Sequence, residues 1–186
     1  MKSEKIKDFV SIDASTNSLA FAVFKSGELS KYGKIKFFGN DIYEKIVDTA
    51  TKTQAFFREI EHLEYMVIEQ VIYLNSPKTA ANLAMSHGGL VACASLTGIT
   101  HIKSVSPMQW QNWAGNKRLT NEEKQKIRSS HPNKTESWYK SQERLVRKQK
   151  TIRFVNVKFD LNIGDDDVAD AVAIGAFSLE NWDRLF

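Results

Sequence analysis

Apolar and polar positions alternate with a period of two over residues 9–13: Val10 and Ile12 fall on one side, Phe9, Ser11 and Asp13 on the other. That is the pattern of a strand, here ending on a carboxylate. Polar Ser15, Thr16 and Asn17 turn the chain, and residues 19–24 form a second strand, apolar on both faces. Ser26-Gly27-Glu28 reads as a hairpin turn into a third strand over 29–38, with Tyr32, Ile35 and Phe37 as its apolar positions. The period then changes. Ile42, Ile46, Ala50, Phe56, Phe57 and Ile60 recur at helical spacing, predicting a helix from Gly39-Asn40-Asp41 to about His62. Residues 65–69 are a short apolar run of the kind that suits a central strand, and they again end in an acid, Glu69.

Ser76-Pro77 opens the next helix, which runs to about Leu96. It is crowded with small residues, and its adjacent Gly88 and Gly89 each cost about 1 kcal/mol relative to alanine. Close approach by another backbone, from the sheet or from a second copy of the chain, would account for them. A strand over 100–105 and a short helix over 107–113 follow. Residues 121–130 and 134–147 read as two helical pieces around a mobile loop holding Pro132. A further helix is expected over 148–161, with Ile152, Val155 and Phe159 on one face; a strand over 152–157 is the competing reading. Gly164-Asp165-Asp166-Asp167 opens the last helix, which carries Val168, Ala171, Val172, Ile174 and Phe177. Three strands in a meander, followed by strands joined through helices, predict an α/β chain with a mixed sheet.

A chain of 186 residues is long enough for a substantial core and is expected to be one domain. Its net charge of +4 is unevenly spread. Residues 103–153 hold 13 Lys/Arg against 4 Asp/Glu, a local excess of +9, and the remainder is acidic. A basic segment on an acidic body points to a polyanionic partner or to a solvated helical surface. The single cysteine, Cys93, lies among small residues and is expected to be a buried thiol, with no disulfide framework and no zinc pattern. No run approaches the ~18 apolar residues of a membrane span, and the N-terminus lacks a leader's apolar stretch. A soluble intracellular protein is expected, with no membrane partner.

The acids change the picture most. Asp13 and Glu69 each end a strand, and Asp165–Asp167 with Asp170 open the last helix. Acids in a first turn favour the helix dipole, which accounts for Asp165, Asp166 and Asp167. It does not account for Asp170, one turn further in beside Ala171 and Val172. On a helix Asp170 shares a face with Asp167 and with Asp166. If these acids converge, mutual repulsion calls for a cation. Oxygen-only ligands suit Mg²⁺ or Mn²⁺, and two such ions in a carboxylate cluster is an arrangement that cleaves phosphodiesters.

In Ile12-Asp13-Ala14-Ser15, Ile68-Glu69-Gln70-Val71, Leu83 with Gly88-Gly89, and the run from Asp167 through Asp170 to Ile174, the chain resembles the RuvC-type Holliday junction resolvases of the RNase H-like nuclease superfamily. The pieces occur in the family's order over nearly the whole chain. The exception is a basic helical insertion at about 115–147. The resemblance implies an RNase H-like α/β fold with a five-stranded mixed sheet flanked by helices. It also implies a homodimer making paired Mg²⁺-dependent nicks in four-way and other branched DNA, with two ions per site. The implied ligands are Asp13, Glu69, Asp167 and Asp170, with Asp166 as a substitute for Asp167. Lys148 matches a basic position beside the scissile phosphate. The family's aromatic residue at the junction centre falls on Ile72, with Tyr73 beside it, and a second basic position falls near Gln111. The size and insertion look like the phage-encoded branch, which would act in host cytoplasm.

Lys117, Arg118 and the other Lys and Arg residues of the basic segment are candidates for neutralising phosphates. Trp110, Trp113 and Trp138 are read either as base-stacking groups or as core anchors. His62, His87, His101 and His131 are scattered and fit surface or packing roles better than metal ligation. Alternative functions are another RNase H-like nuclease acting on RNA–DNA hybrids or forks, a junction-binding protein without catalysis, and an actin/Hsp70-like ATPase suggested by Asp13-Ala14-Ser15-Thr16.

Overall fold

The computed structural model describes residues 8–60, 62–72 and 76–186. Its strands are β1 (Phe9–Ala14), β2 (Ser18–Lys25), β3 (Glu28–Lys36), β4 (Tyr65–Glu69) and β5 (His101–Val105). They form one sheet in the order β3-β2-β1-β4-β5. β1 pairs antiparallel with β2 and parallel with β4, so Ile12 lies opposite Phe21 on one side and Ile68 on the other. β2–β3 is antiparallel and β4–β5 parallel, which gives the mixed sheet expected from the pattern.

The alternation along β1 sorts the two faces. Val10, Ile12, Leu19, Phe21, Val23, Met66 and Ile68 pack with α1 (Ile42–Glu59) and α2 (Pro77–Leu96). Phe9, Ala20, Ala22, Phe24 and Val67 form the other core with α3 (Pro107–Trp113), α5 (Glu136–Phe159), α6 (Asp166–Glu180) and α7 (Trp182–Leu185). Cys93 is buried in the first core. α4 (Asn121–Ser130) packs against α5 and buries none of its own residues.

Two expectations need correction. Residues 134–147 and 148–161 do not form separate helices. α5 is one helix of 24 residues, capped by the Thr135 hydroxyl, which accepts the Trp138 N–H at 3.2 Å. No glycine or proline interrupts it before Asp160, which ends it in the left-handed region at φ 52°. The strand alternative over 152–157 fails because Ile152 and Val155, three apart, share the buried helix face. The glycines of α2 also lack the expected contact within the chain. A Cβ on Gly88 would meet nothing within 4 Å, and one on Gly89 only the Ile46 side chain at 3.6 Å.

The close approach occurs instead at Gly175 in α6, where a Cβ would lie 2.0 Å from Phe24 Cε2 and 2.6 Å from Ser11 Oγ. α6 is buried through Ala169, Ala171, Val172, Ala173 and Ile174. The Ser11 hydroxyl donates to the Ala171 carbonyl at 2.7 Å, tying the helix directly to β1. These contacts set the first turn of α6 beside the end of β1. Among the described residues no helix is long and apolar enough to cross a membrane.

Candidate active site: an acidic cavity with a basic rim

Parallel pairing of β1 with β4 brings the acid ends of both strands to the same sheet edge, because Ile12 and Ile68 are in register and each is followed by its carboxylate. The start of α6 is laid against that edge. A cavity of about 290 Å³ results, lined by Asp13, Glu69, Asp167 and Asp170 and rimmed by Arg144, Arg147 and Lys148. Four acids separated by up to 157 positions in sequence therefore face one space.

Each acid is held differently. Glu69 Oε1 accepts the indole N–H of Trp110 at 2.8 Å. Trp110 is fully buried, so it is a core anchor that also orients an acid. Asp165 is the N-cap of α6 and accepts the Val168 N–H at 3.1 Å, the structural role expected of a first-turn acid. Lys34 of β3 pairs with Asp165 at 3.0 Å and with Asp167 at 2.6 Å. Lys148 of α5 pairs with Asp166 and reaches Asp167 at 3.8 Å. Thr151 beside Asp170 favours the charged form of the acid, while Asp170 Oδ1 is buried with no hydrogen-bond partner. Asp166 Oδ2 makes no hydrogen bond either, but it has the Lys148 ammonium against it.

The electrostatics follow from this crowding. Burial is the largest cause of the raised Asp13 pKa, followed by the charges of Glu69, Asp170 and Asp167. Asp170 is pushed up to about 7, by burial first and then by Glu69, against the opposing effects of Thr151 and Lys148. Burial raises Glu69 despite its bond from Trp110. At Lys34 desolvation opposes the charge, but its bonds to Asp167 and Asp165 outweigh it and the pKa rises.

Among the described residues, no group of three or more His, Cys, Asp or Glu side chains stands in position to hold a metal ion. Asp167 is engaged by two lysines, Lys34 and Lys148. The donor chemistry is still that of a hard divalent cation: oxygen-only groups, mutually repelling, one with an orphaned buried oxygen.

Of the other expected site residues, Lys148 lines the acidic cavity. Arg118 lies in an adjoining cleft of about 440 Å³ with Lys124, Lys140, Arg144 and Arg147. Lys117 is exposed and lines neither. Ile72 is 52% exposed. Tyr73 lies outside the described residues. Gln111 is not basic, but its side-chain oxygen accepts from Arg147 Nη2 at 2.7 Å, which puts a guanidinium there. Sequence reasoning did not single out Lys34, Thr151 or Asn116. No local pattern marks them, because each reaches the site from an element distant in sequence.

A five-stranded mixed sheet in this order, flanked by helices and with acids gathered at the end of β1, defines an RNase H-like fold. RuvC structures are similar to it in fold. The chain superposes on Thermus thermophilus RuvC in complex with a Holliday junction substrate with a TM-score of 0.65 at 12% identity, covering 96% of each chain. A second Thermus thermophilus RuvC structure gives 0.62 at 13% identity, covering 95% of this chain and 96% of that one. No protein-family model matches the chain, and no curated protein matches it in sequence.

Proposed function

We propose that the chain is a divalent-ion-dependent endonuclease that nicks branched DNA, four-way junctions foremost, in pairs. The observation that supports this most is the convergence of Asp13, Glu69, Asp167 and Asp170 on one cavity with a cationic rim. The RuvC fold, seen in one structure with a Holliday junction, favours the same substrate.

In this reading Asp13, Glu69, Asp170 and Asp167 or Asp166 hold two Mg²⁺ or Mn²⁺ ions. When bound, the ions supply an activated water and stabilise the leaving oxygen. The chain's own groups do the rest. Trp110 keeps the Glu69 carboxylate aimed into the cavity. Lys148 and Lys34 neutralise the acidic turn until ions enter. Arg144 and Arg147 lie between the acidic cavity and the basic cleft and so form a track for a phosphate backbone. Residues 115–147 are a basic arm that extends this track, with Lys117 and Arg118 at its base, and the exposed Ile72 meets the junction centre.

Paired nicks in a two-fold substrate require two sites, hence a homodimer. The outer face of α2 suits the contact, since Gly88 is open and Met85 and Leu96 are 40% and 80% exposed. A DNA substrate places the protein inside the cell.

The test is cleavage of four-way junctions, forks, linear duplex and RNA–DNA hybrids, each with Mg²⁺ and with EDTA. Paired nicks in the four-way junction that need Mg²⁺ support the proposal. Tight binding without nicks in Mg²⁺ or Mn²⁺ would make it a junction-binding protein, and faster cutting of hybrids a different nuclease.

A further inference from the structure

Behind the acidic cavity a line of hydrogen bonds runs from its rim to its floor. Arg147 Nε donates to Asn116 Oδ1 at 3.3 Å. Asn116 Nδ2 donates to Thr151 Oγ1 at 2.8 Å. Thr151 is fully buried and Asn116 is 4% exposed, so the Asn116–Thr151 bond does not compete with water. With its oxygen accepting from Asn116, the Thr151 hydroxyl has its proton free to turn toward the neighbouring Asp170, whose charged form it favours. Every donor in the line points the same way, toward Asp170. Arg147 is the only charged donor in it and the only member at the surface of both clefts. Two of its N–H groups are spent on Asn116 and Gln111, and the rest of the fork remains for an anion.

We propose that Asn116 and Thr151 are positioning residues that carry the seating of a backbone phosphate on Arg147 through to the carboxylate of Asp170. The inference rests on the nuclease reading for its substrate. Three fixed points make transmission physical: Arg147 and Thr151 lie one turn apart on a helix without a break, and Asn116 bridges them from the end of α3. A phosphate that draws the guanidinium outward pulls on the Asn116 amide, and Asn116 then moves the Thr151 hydroxyl. Rotation of that hydroxyl changes which way the Asp170 carboxylate is held.

The test uses the full chain with ¹³C-labelled aspartate carboxyls, the Asp170 signal being assigned from Asp170→Asn. A four-way junction is added in EDTA, where nothing is cut. The Asp170 resonance should move on saturation in the wild type and in Thr151→Ser. It should stay still in Asn116→Ala and Thr151→Val at equal occupancy. In Mg²⁺, those two variants should lose about tenfold or more in kcat with the KM for junction changed less than twofold, and Thr151→Ser should recover most of the loss. An unmoved wild-type resonance at saturation, or full kcat in both Asn116→Ala and Thr151→Val, overturns the proposal. If Thr151→Val does not fold, Asn116→Ala alone decides. A junction that binds and moves the resonance but is never nicked leaves the line intact and removes the nuclease reading instead.

Discussion

Replacing Asp170 with asparagine should stabilise the metal-free protein at neutral pH while abolishing nicking. Asp170 has its pKa raised from 3.8 to about 7, with burial the largest cause and Glu69 the next. The unfolded chain releases this proton near 3.8 and the folded chain near 7. Between those values the unfolded state therefore binds fewer protons, and stability falls as pH rises. The carboxyl's contribution is intact below the lower value and gone above the upper one. At about 1.4 kcal/mol per pH unit, a gap of roughly three units amounts to about 4 kcal/mol at pH 8, an upper limit because the cavity side is screened by water. At pH 5 the same reasoning leaves about 1.5 kcal/mol. Asparagine has nearly the same shape, keeps an acceptor for Thr151 and carries no charge, so it escapes this penalty. For a chain of this size about 4 kcal/mol corresponds to a rise in Tm of roughly 8–15 °C at pH 8, shrinking to a few degrees at pH 5. Thermal melts in EDTA at the two pH values measure it, with a junction-cleavage assay in Mg²⁺ alongside. A variant no more stable than wild type at pH 8, or equally stabilised at both pH values, would show that this carboxylate is not desolvated among other acids. Retained nicking would remove Asp170 from the catalytic set.

Other perturbations probe different supports of the site. Gly175→Ala puts a methyl group into Phe24 and Ser11 and should cost about 1–3 kcal/mol or more by chemical denaturation, with nicking reduced because α6 is displaced. Trp110→Phe removes the N–H that holds Glu69; nicking should fall at least tenfold while junction binding in EDTA is unchanged. Lys34→Gln should lower metal-free stability by no more than about 1 kcal/mol, the usual worth of a part-exposed ion pair, and shift the Mg²⁺ requirement for nicking to lower concentration. Arg118→Ala with Lys140→Ala should weaken junction binding and reduce the slope of log K against log salt by about 2, one for each lost phosphate contact.

The strands and the two-sided sheet were legible because alternation and apolar runs state burial directly: Val10 and Ile12 against Phe9 and Ser11 assigned the faces of β1 correctly. Helix starts were legible where capping residues mark them, as at Ser76-Pro77 and Asp165. Continuity was harder to read. The basic stretch through residue 147 looked like an exposed piece and Ile152–Val155 like a buried one. A helix can pass from solvent to core without any signal at the crossing, so α5 was divided. The double glycine of α2 drew attention, while the single Gly175, inside a run of alanines, did not; which glycine meets a neighbour depends on three-dimensional approach. The acids could be paired with strand and helix ends from sequence. The groups that hold them, Lys34 on β3, Trp110 on α3 and Thr151 on α5, could not be placed without the packing.

The packing of α6 on the sheet has a consequence for how such a site can vary. The helix is anchored at Ala171 and Gly175, one to two turns beyond the acidic turn, by Ser11 and by the missing side chain under Phe24. Residues 165–167 are thus the near end of a beam clamped elsewhere, held to other elements by the side chains of Lys34 and Lys148. Which acid of that turn faces the cavity can change from one chain to another without relocating the frame, whereas the clamp tolerates no added bulk. Diversity should gather at the turn and uniformity at the clamp, although Ala171 and Gly175 themselves line no part of the cavity.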